Sequence, residues 1–333
     1  MGEVEEVSGT PIKSSKALAP TKVTLFGEHA VVYGKPALVL SIPVYVEVET
    51  ERADEFSLES GPVSLNKLSL IIEEDEVRLS GEARGEVLRY FSYILESLNI
   101  IGIRDVRIRI SSPLPVGAGL GTSAAVTVGT IAAASKLNDM SLTKEKIAEL
   151  AWEVEKRVQG RASPMDTSAS ALGGALLIRR DGEKWIREKI TINEVPLVIG
   201  LFKKRWTTGE LVARVAKRLT EYPFLNEIIE VIGDLTMEAL NALESGDLAK
   251  VGELMNVNHG LLESLGVVTK EIAEAVHAVR MAGALGAKVS GAGGGGAVVA
   301  LGDNVDEISA AFKAVGAERV LVIRRLSRGV EVR

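Results

Sequence analysis

Residues 114–130, LPVGAGLGTSAAVTVGT, decide how this chain is read. Gly117, Gly119 and Gly121 fall within five positions, the hydroxyl pair Thr122 and Ser123 follows, and the run continues small and apolar. A glycine-rich loop that leads into a helix leaves the first amides of that helix without intrahelical partners. It also faces the positive end of the helix dipole, so the pattern suits an anion. A Walker loop would read GxxxxGK[ST], but no lysine stands at that place, and these glycines do not form GxGxxG either. The helix expected over 122–136 is small or apolar all round, which predicts burial on every side. On these residues alone, a tight turn with an ordinary Ser or Thr N-cap stays open beside the phosphate reading.

A second glycine-rich stretch, KVSGAGGGGAVVALG at 288–302, does contain GxGxxG in Gly291, Gly293 and Gly296. Its expected context is a helix before and a strand after, the reverse of the strand, loop, helix order of a dinucleotide fingerprint. A Rossmann reading is rejected. The glycines still allow close approach of backbone to a ligand or to the first loop, with a flexible hairpin-like connection as the alternative.

Working outward, apolar and β-branched runs predict strands at 16–26, 36–49, 105–110 and 174–179, and helices at about 85–98, 122–136 and 143–158. After the charged turn segment RRDGEKW the pattern restarts with a strand at 195–202. Helices follow at about 207–219, 224–244, 247–256 and 269–284, and strands GGAVVALG and RVLVIRRL close the chain. The expected organisation is a loose acidic tail over 1–15, an α+β half over 16–185 and a second half over 186–333, in line with the two cores that 333 residues suggest.

Composition narrows the function classes. The chain is 46% hydrophobic and 25% charged, and no apolar run approaches the roughly 20 residues that span a bilayer. The opening MGEVEEVSGTPIKSS lacks the basic start and apolar middle of a signal peptide, so a cytoplasmic protein is expected. A net charge of -6 without a basic cluster argues against nucleic acid as partner. With no cysteine there is no disulfide, thiolate metal site or cysteine nucleophile, and the three histidines, His29, His259 and His277, are not spaced as an obvious metal pair.

Several charged residues stand in unusual places. Lys22 lies inside the first strand, where alternation puts it on one face with Thr24 and Phe26 and leaves Val23 and Leu25 on the other. Such a lysine either snorkels to water or enters a cleft as a fixed charge. Glu28 and His29 bunch at the following turn. Glu155 borders the stripe Ile147, Leu150, Ala151, Val154 and Val158 in the last turn of a helix that has Ser141 as cap and Gly160 as terminator. It reads as a solvated charge or as a metal-binding carboxylate. Asp166 falls in a loop of small residues, where an acid is a turn-former, an N-cap or a reactive group.

Together, PTKVTLFGEHAVVYGKPAL, PLPVGAGLGTSAA and KVSGAGGGG occur in the order and spacing of three motifs of the GHMP kinase superfamily. The chain resembles that family from residue 16 to about 300, and its GEHAVVYGKPAL form is similar to the archaeal-type mevalonate kinases. The resemblance implies a two-domain α+β fold with a ribosomal protein S5 domain 2-like N-terminal domain and a ferredoxin-like C-terminal domain. It implies transfer of the γ-phosphoryl of Mg·ATP to the 5-hydroxyl of mevalonate. The phosphate loop would be Pro115, Gly117, Ala118, Gly119, Leu120, Gly121, Thr122, Ser123 and Ala124, with Ser123 and Glu155 as Mg²⁺ ligands. Asp166 would act on the substrate hydroxyl beside Lys22, and Glu28, His29 and Thr208 would bind substrate. The 291–296 glycines would support the phosphate loop, and His259, in MNVNHGLL, is expected near the domain interface, with ordinary helix packing as the open alternative. ATP and mevalonate are the implied partners, with room for a homodimer. Two places depart from the family pattern: Thr122 stands for the first of two serines, and SPMDT replaces a more usual SGxD before Asp166. Another small alcohol as acceptor (phosphomevalonate, the 3-hydroxyl of mevalonate, a sugar) and a silent nucleotide-binding regulator remain as alternatives.

Overall fold

In the computed structural model, which describes residues 12–60, 69–73, 76–80, 85–114, 118–160, 162–192 and 195–333, the chain opens with two long antiparallel strands. These are β1 (Ser14–Phe26) and β2 (Ala37–Arg52), joined by a turn and a short 3-10 helix, Ala30–Tyr33. There follow β3 (Ser57–Ser60), a separate hairpin of β4 (Ser69–Glu73) and β5 (Glu76–Ser80), α1 (Gly85–Ile100) and β6 (Val106–Ser111). Next come α2 (Thr122–Leu137), α3 (Lys144–Gln159), α4 (Met165–Leu172), β7 (Ala175–Asp181) and β8 (Lys184–Ile190). Along its length β2 pairs with β1 on one side, and on the other first with β7 and then with β6. This half keeps one core between its sheet and the helices α1, α2 and α3, including Val46, Val48, Ile94, Ile108, Ile131 and Val154. Burial of each large aliphatic side chain there contributes about 1.5–3 kcal/mol.

β9 (Leu197–Phe202), α5 (Thr208–Glu221), α6 (Asn226–Ser245), α7 (Leu248–Ser264), α8 (Lys270–Met281), β10 (Gly286–Ser290), β11 (Gly296–Leu301), α9 (Val305–Ala314) and β12 (Arg319–Ile323) form the second half. Its sheet runs in the order β10, β11, β9, β12, every pair antiparallel. With the helices interposed, this is the ferredoxin-like arrangement expected for it. The last strand, β13 (Glu331–Val332), returns to the first sheet and pairs with β1. The halves are not separate bodies: Val23, Leu25 and Leu40 of the first sheet share one buried cluster with Leu197, Ile199 and Val299 of the second and Met255 of α7.

Several sequence expectations are corrected. The first strand begins at Ser14, so the part of the 1–15 tail beyond residue 13 is strand, and residues 1–11 lie outside the described residues. RRDGEKW, read as a turn segment, is the tip of the β7/β8 hairpin, and the chain leaves the first sheet after Ile190. The helix over 143–158 is capped by Thr143, whose side chain accepts from Lys146 N, and not by Ser141. A strand, β10, stands between the 269–284 helix and the second glycine stretch, so those glycines join two paired strands. In β1 the register shifts between Thr24 and Phe26, and the bulge carries Phe26 into the cluster of Val23 and Leu25 and away from Lys22.

The returning C-terminus is locked to α4 by two facing glycines. A Cβ on Gly173 (φ 72°) would lie 2.0 Å from Gly329 N, and one on Gly329 (φ 88°) would lie 2.4 Å from Ala171 O. Val330 N donates to Ala171 O at 3.1 Å and Gly174 N to Ser327 O at 2.7 Å. Gly173→Ala is therefore expected to cost about 2 kcal/mol or more, because backbone strain adds to a clash with main chain. Thermal unfolding checks it, and an unchanged Tm would contradict the interlock.

Candidate active site

Between its register shifts at Pro20/Thr21 and Thr24/Phe26, β1 aims Lys22 inward. The side chain is only 4% exposed, its Nζ donates to Thr24 Oγ1 at 3.1 Å, and it lies 3.0 Å from Asp166 Oδ1. Asp166 is in the first turn of α4, not in a loop, and at 29% exposure it is the wetter partner. A buried ammonium needs a counter-charge at short range, and this pair supplies it.

The glycine loop sits directly on the pair. Lys22 N donates to Leu120 O at 2.9 Å. Gly121, at φ +70°, is the residue before α2, and a Cβ there would meet Lys22 Cε at 2.9 Å and Asp166 Oδ2 at 3.5 Å. Only glycine lets the start of the helix come this close. No side chain caps α2, so the ordinary Ser or Thr N-cap is not what the loop provides and its first amides stay open to an anion. Every residue of α2 except Ser123 and Lys136 is buried, as its composition predicts. Ala118, Gly119, Leu120, Thr122 and Ala124 lie in this loop and helix start, whereas Pro115 and Gly117 fall outside the described residues. The second glycine stretch leans against the first: a Cβ on Gly291 would lie 3.2 Å from Gly119 O, and one on Gly296 3.4 Å from Ala118 O.

Glu155, buried in the last turn of α3, has no side-chain hydrogen bond among the described residues. Burial, and then the negative charge of Asp166, push its carboxyl well above the usual carboxylate range, with Lys22 pulling the other way. Such a site is short of positive charge. Among the described residues no three His, Cys, Asp or Glu gather as a metal cluster. Glu155 and Ser123, which is half-buried at the α2 start, are oxygen donors of the kind a hard cation takes alongside phosphate oxygens and water.

Glu28 and His29 lie in the turn after β1. Both Glu28 oxygens are engaged: Oε1 by Lys288 Nζ in a buried ion pair, Oε2 by Asn258 Nδ2 at 3.2 Å. His29, at φ 59°, donates from Nε2 to Ala292 O at 3.0 Å, and burial lowers its pKa. Thr208 is not in this cluster. It is exposed in the first turn of α5, where Lys204 Nζ reaches it at 3.2 Å and Thr207 forms the capping box with Glu210. Its segment borders the second glycine stretch through Arg205 N to Gly294 O at 2.9 Å. His259, on α7, accepts from Val289 N at 3.4 Å and is buried where α7 meets β10.

Lys288, Asn258 and Ser290 escaped the sequence reading. A signal existed for the first: Lys288 interrupts an apolar run as Lys22 does, one residue before Val289. Asn258 and Ser290 are ordinary residues for their elements and carry no such mark.

Comparisons with known proteins bear on the family of the chain. GHMP kinases N terminal domain matches residues 86–174, and GHMP kinases C terminal matches 237–318. A mevalonate kinase of Pyrococcus horikoshii is 42% identical, with 95% of this chain and 97% of that protein covered. One of Pyrococcus furiosus is 40% identical over 315 residues, covering 90% and 93%. Among solved structures, L. major mevalonate kinase in complex with R-mevalonate superposes with a TM-score of 0.79 at 28% identity, covering 95% and 98%.

Burial lowers the His259 pKa to about 3, helped by the charges of Arg280 and Lys288. The unfolded chain, with an ordinary value near 6.5, takes up this proton first, so stability is lost as pH falls below about 6.5. Between pH 7.5 and 5 the loss should approach on the order of 1 kcal/mol per pH unit once below that value. In His259→Gln, which keeps an acceptor for Val289 N, the pH dependence of Tm should be shallower; an equal slope would contradict the burial of a neutral ring.

Proposed function

The chain belongs to the GHMP kinases, among the mevalonate kinases, and we propose that its cleft transfers the γ-phosphoryl of ATP to the 5-hydroxyl of mevalonate. The observation that carries the reading is the Lys22 and Asp166 pair seated 3.0 Å apart against the backbone of Gly121, at the open start of α2.

Phosphoryl transfer asks the protein for position and charge more than for covalent work. The amides of the 118–124 segment cradle the phosphates with their dipole-aligned N–H groups. Asp166 Oδ receives the proton of the acceptor hydroxyl, and Lys22 Nζ, held by Thr24, offers its charge to the oxygen as it loses that proton. Because Lys22 is fixed on a strand and Asp166 on a helix, the pair is set before substrate arrives. Ser123 and Glu155 would hold Mg²⁺, which when bound would offset the negative charge of the phosphates. His29, in the turn after β1, would face the acceptor side, whereas Thr208, exposed on α5 and bonded to Lys204, is not brought to it by this geometry. A silent nucleotide-binding protein would have no chemical need to bury Lys22 against Asp166.

Turnover with ATP and a panel of small alcohols, the product identified by mass and ³¹P NMR, should give 5-phosphomevalonate; a 3-phosphate or phosphorylation of another alcohol instead would replace this reading. Asp166→Asn and Lys22→Met should each lose about 100-fold or more in kcat while the thermal shift with Mg·ATP remains. In Glu155→Gln that Mg·ATP-dependent shift should shrink, whereas a full shift would remove Glu155 from the metal site.

A further inference from the structure

Lys288 has no part in the transfer just described, yet it is completely buried in β10. Its Nζ meets Glu28 Oε1 and donates to Val289 O at 2.7 Å. Glu28, itself 2% exposed, belongs to the turn after β1, so the ion pair crosses from one sheet to the other, and Asn258 of α7 takes the second oxygen. The neighbouring residues repeat the crossing. Thr24 N donates to Ser290 Oγ, and Ser290 Oγ donates to Thr24 O, both at 3.0 Å, while His29 reaches Ala292 O. Residues 24–29 are thus stitched to residues 288–292, a segment that contains Gly291, which touches the phosphate loop at Gly119, and leads on to Gly296, which touches it at Ala118.

We propose that Lys288 and Glu28 form a positioning pair that fixes the register of the two halves, and with it the spacing of the two glycine stretches around the transferred group. Glu28 then acts through Lys288 and not by touching the acceptor. The inter-half register stands on the contacts alone, whereas its bearing on the transferred group rests on the kinase reading.

The physics gives this arrangement a signature. Removing one member of a buried ion pair strands the other charge without a partner, whereas replacing both removes the desolvation cost together with the attraction. Effects on position should therefore be strongly non-additive. An acceptor ligand would behave otherwise: Glu28→Gln would weaken acceptor binding whatever stood at 288.

The test compares Lys288→Met, Glu28→Gln and the double variant, using steady-state kinetics with ATP and mevalonate and thermal unfolding of each. The expectation is a kcat about tenfold or more below the parent in each single variant, with the mevalonate KM within about threefold, and a double variant at least as active as the better single. The proposal is overturned if Glu28→Gln raises that KM about tenfold or more with kcat kept, if Lys288→Met matches the parent, or if the losses multiply in the double. Should the singles not fold, the double decides: folded, within about tenfold of parental kcat and with KM unchanged, it supports the pair, and unfolded or with KM raised about tenfold it overturns it. If the parent does not phosphorylate mevalonate, the kinase reading fails, and the pair is judged by unfolding alone. A double more stable than either single then supports it, and additive losses overturn it.

Discussion

Two strand lysines, Lys22 of β1 and Lys288 of β10, are buried almost completely, and the cost of burying an ammonium group organises much of what surrounds them. Each takes one carboxylate from a distant part of the chain. Lys22 takes Asp166 from α4, and Lys288 takes Glu28 from the turn after β1. The first pair leaves its carboxylate partly open to solvent; the second is closed on all sides. That difference in exposure is why the reacting role is proposed for the first pair and the holding role for the second.

Glycines make the arrangement sterically feasible. Gly121 lets the start of α2 press onto Lys22 and Asp166, and Gly119 and Gly291 let the loops from the two halves touch through backbone. The shared apolar cluster behind them, running from Val23 and Leu25 to Ile199 and Val299, gives both loops a rigid floor. Interiors packed in this way transmit small displacements instead of absorbing them, so a residue such as Lys288 can matter to a loop it does not touch.

Much of the fold was legible in the sequence wherever one period dominated. The all-small helix over 122–136 and the stripe around Val154 were found because their patterns allow one reading, and the buried β9 run stood out by its length. β8 was missed because KWIREKI on a half-buried edge mixes charge into its alternation, and β10 because GAKVS is short and carries a lysine. At the cleft, Lys22, Glu155 and Asp166 could be named as misplaced charges, but not joined without the resemblance, since they come from a strand and two helices. The bulge that moves Phe26, the helical setting of Asp166 and the partners of Glu28 depend on pairing across the chain, which local pattern does not encode.

The central claim is that Lys22 and Asp166, packed under Gly121, form the reacting face of the cleft. A crystal structure of the complex with mevalonate, Mg²⁺ and a non-hydrolysable ATP analogue tests it most directly. The account predicts the 5-hydroxyl within hydrogen-bond reach of the Asp166 carboxylate, about 2.6–3.2 Å, with Lys22 Nζ beside it and the γ-phosphate on the amides at the start of α2. An acceptor hydroxyl bound away from Asp166, with the phosphates elsewhere than that helix start, would contradict it.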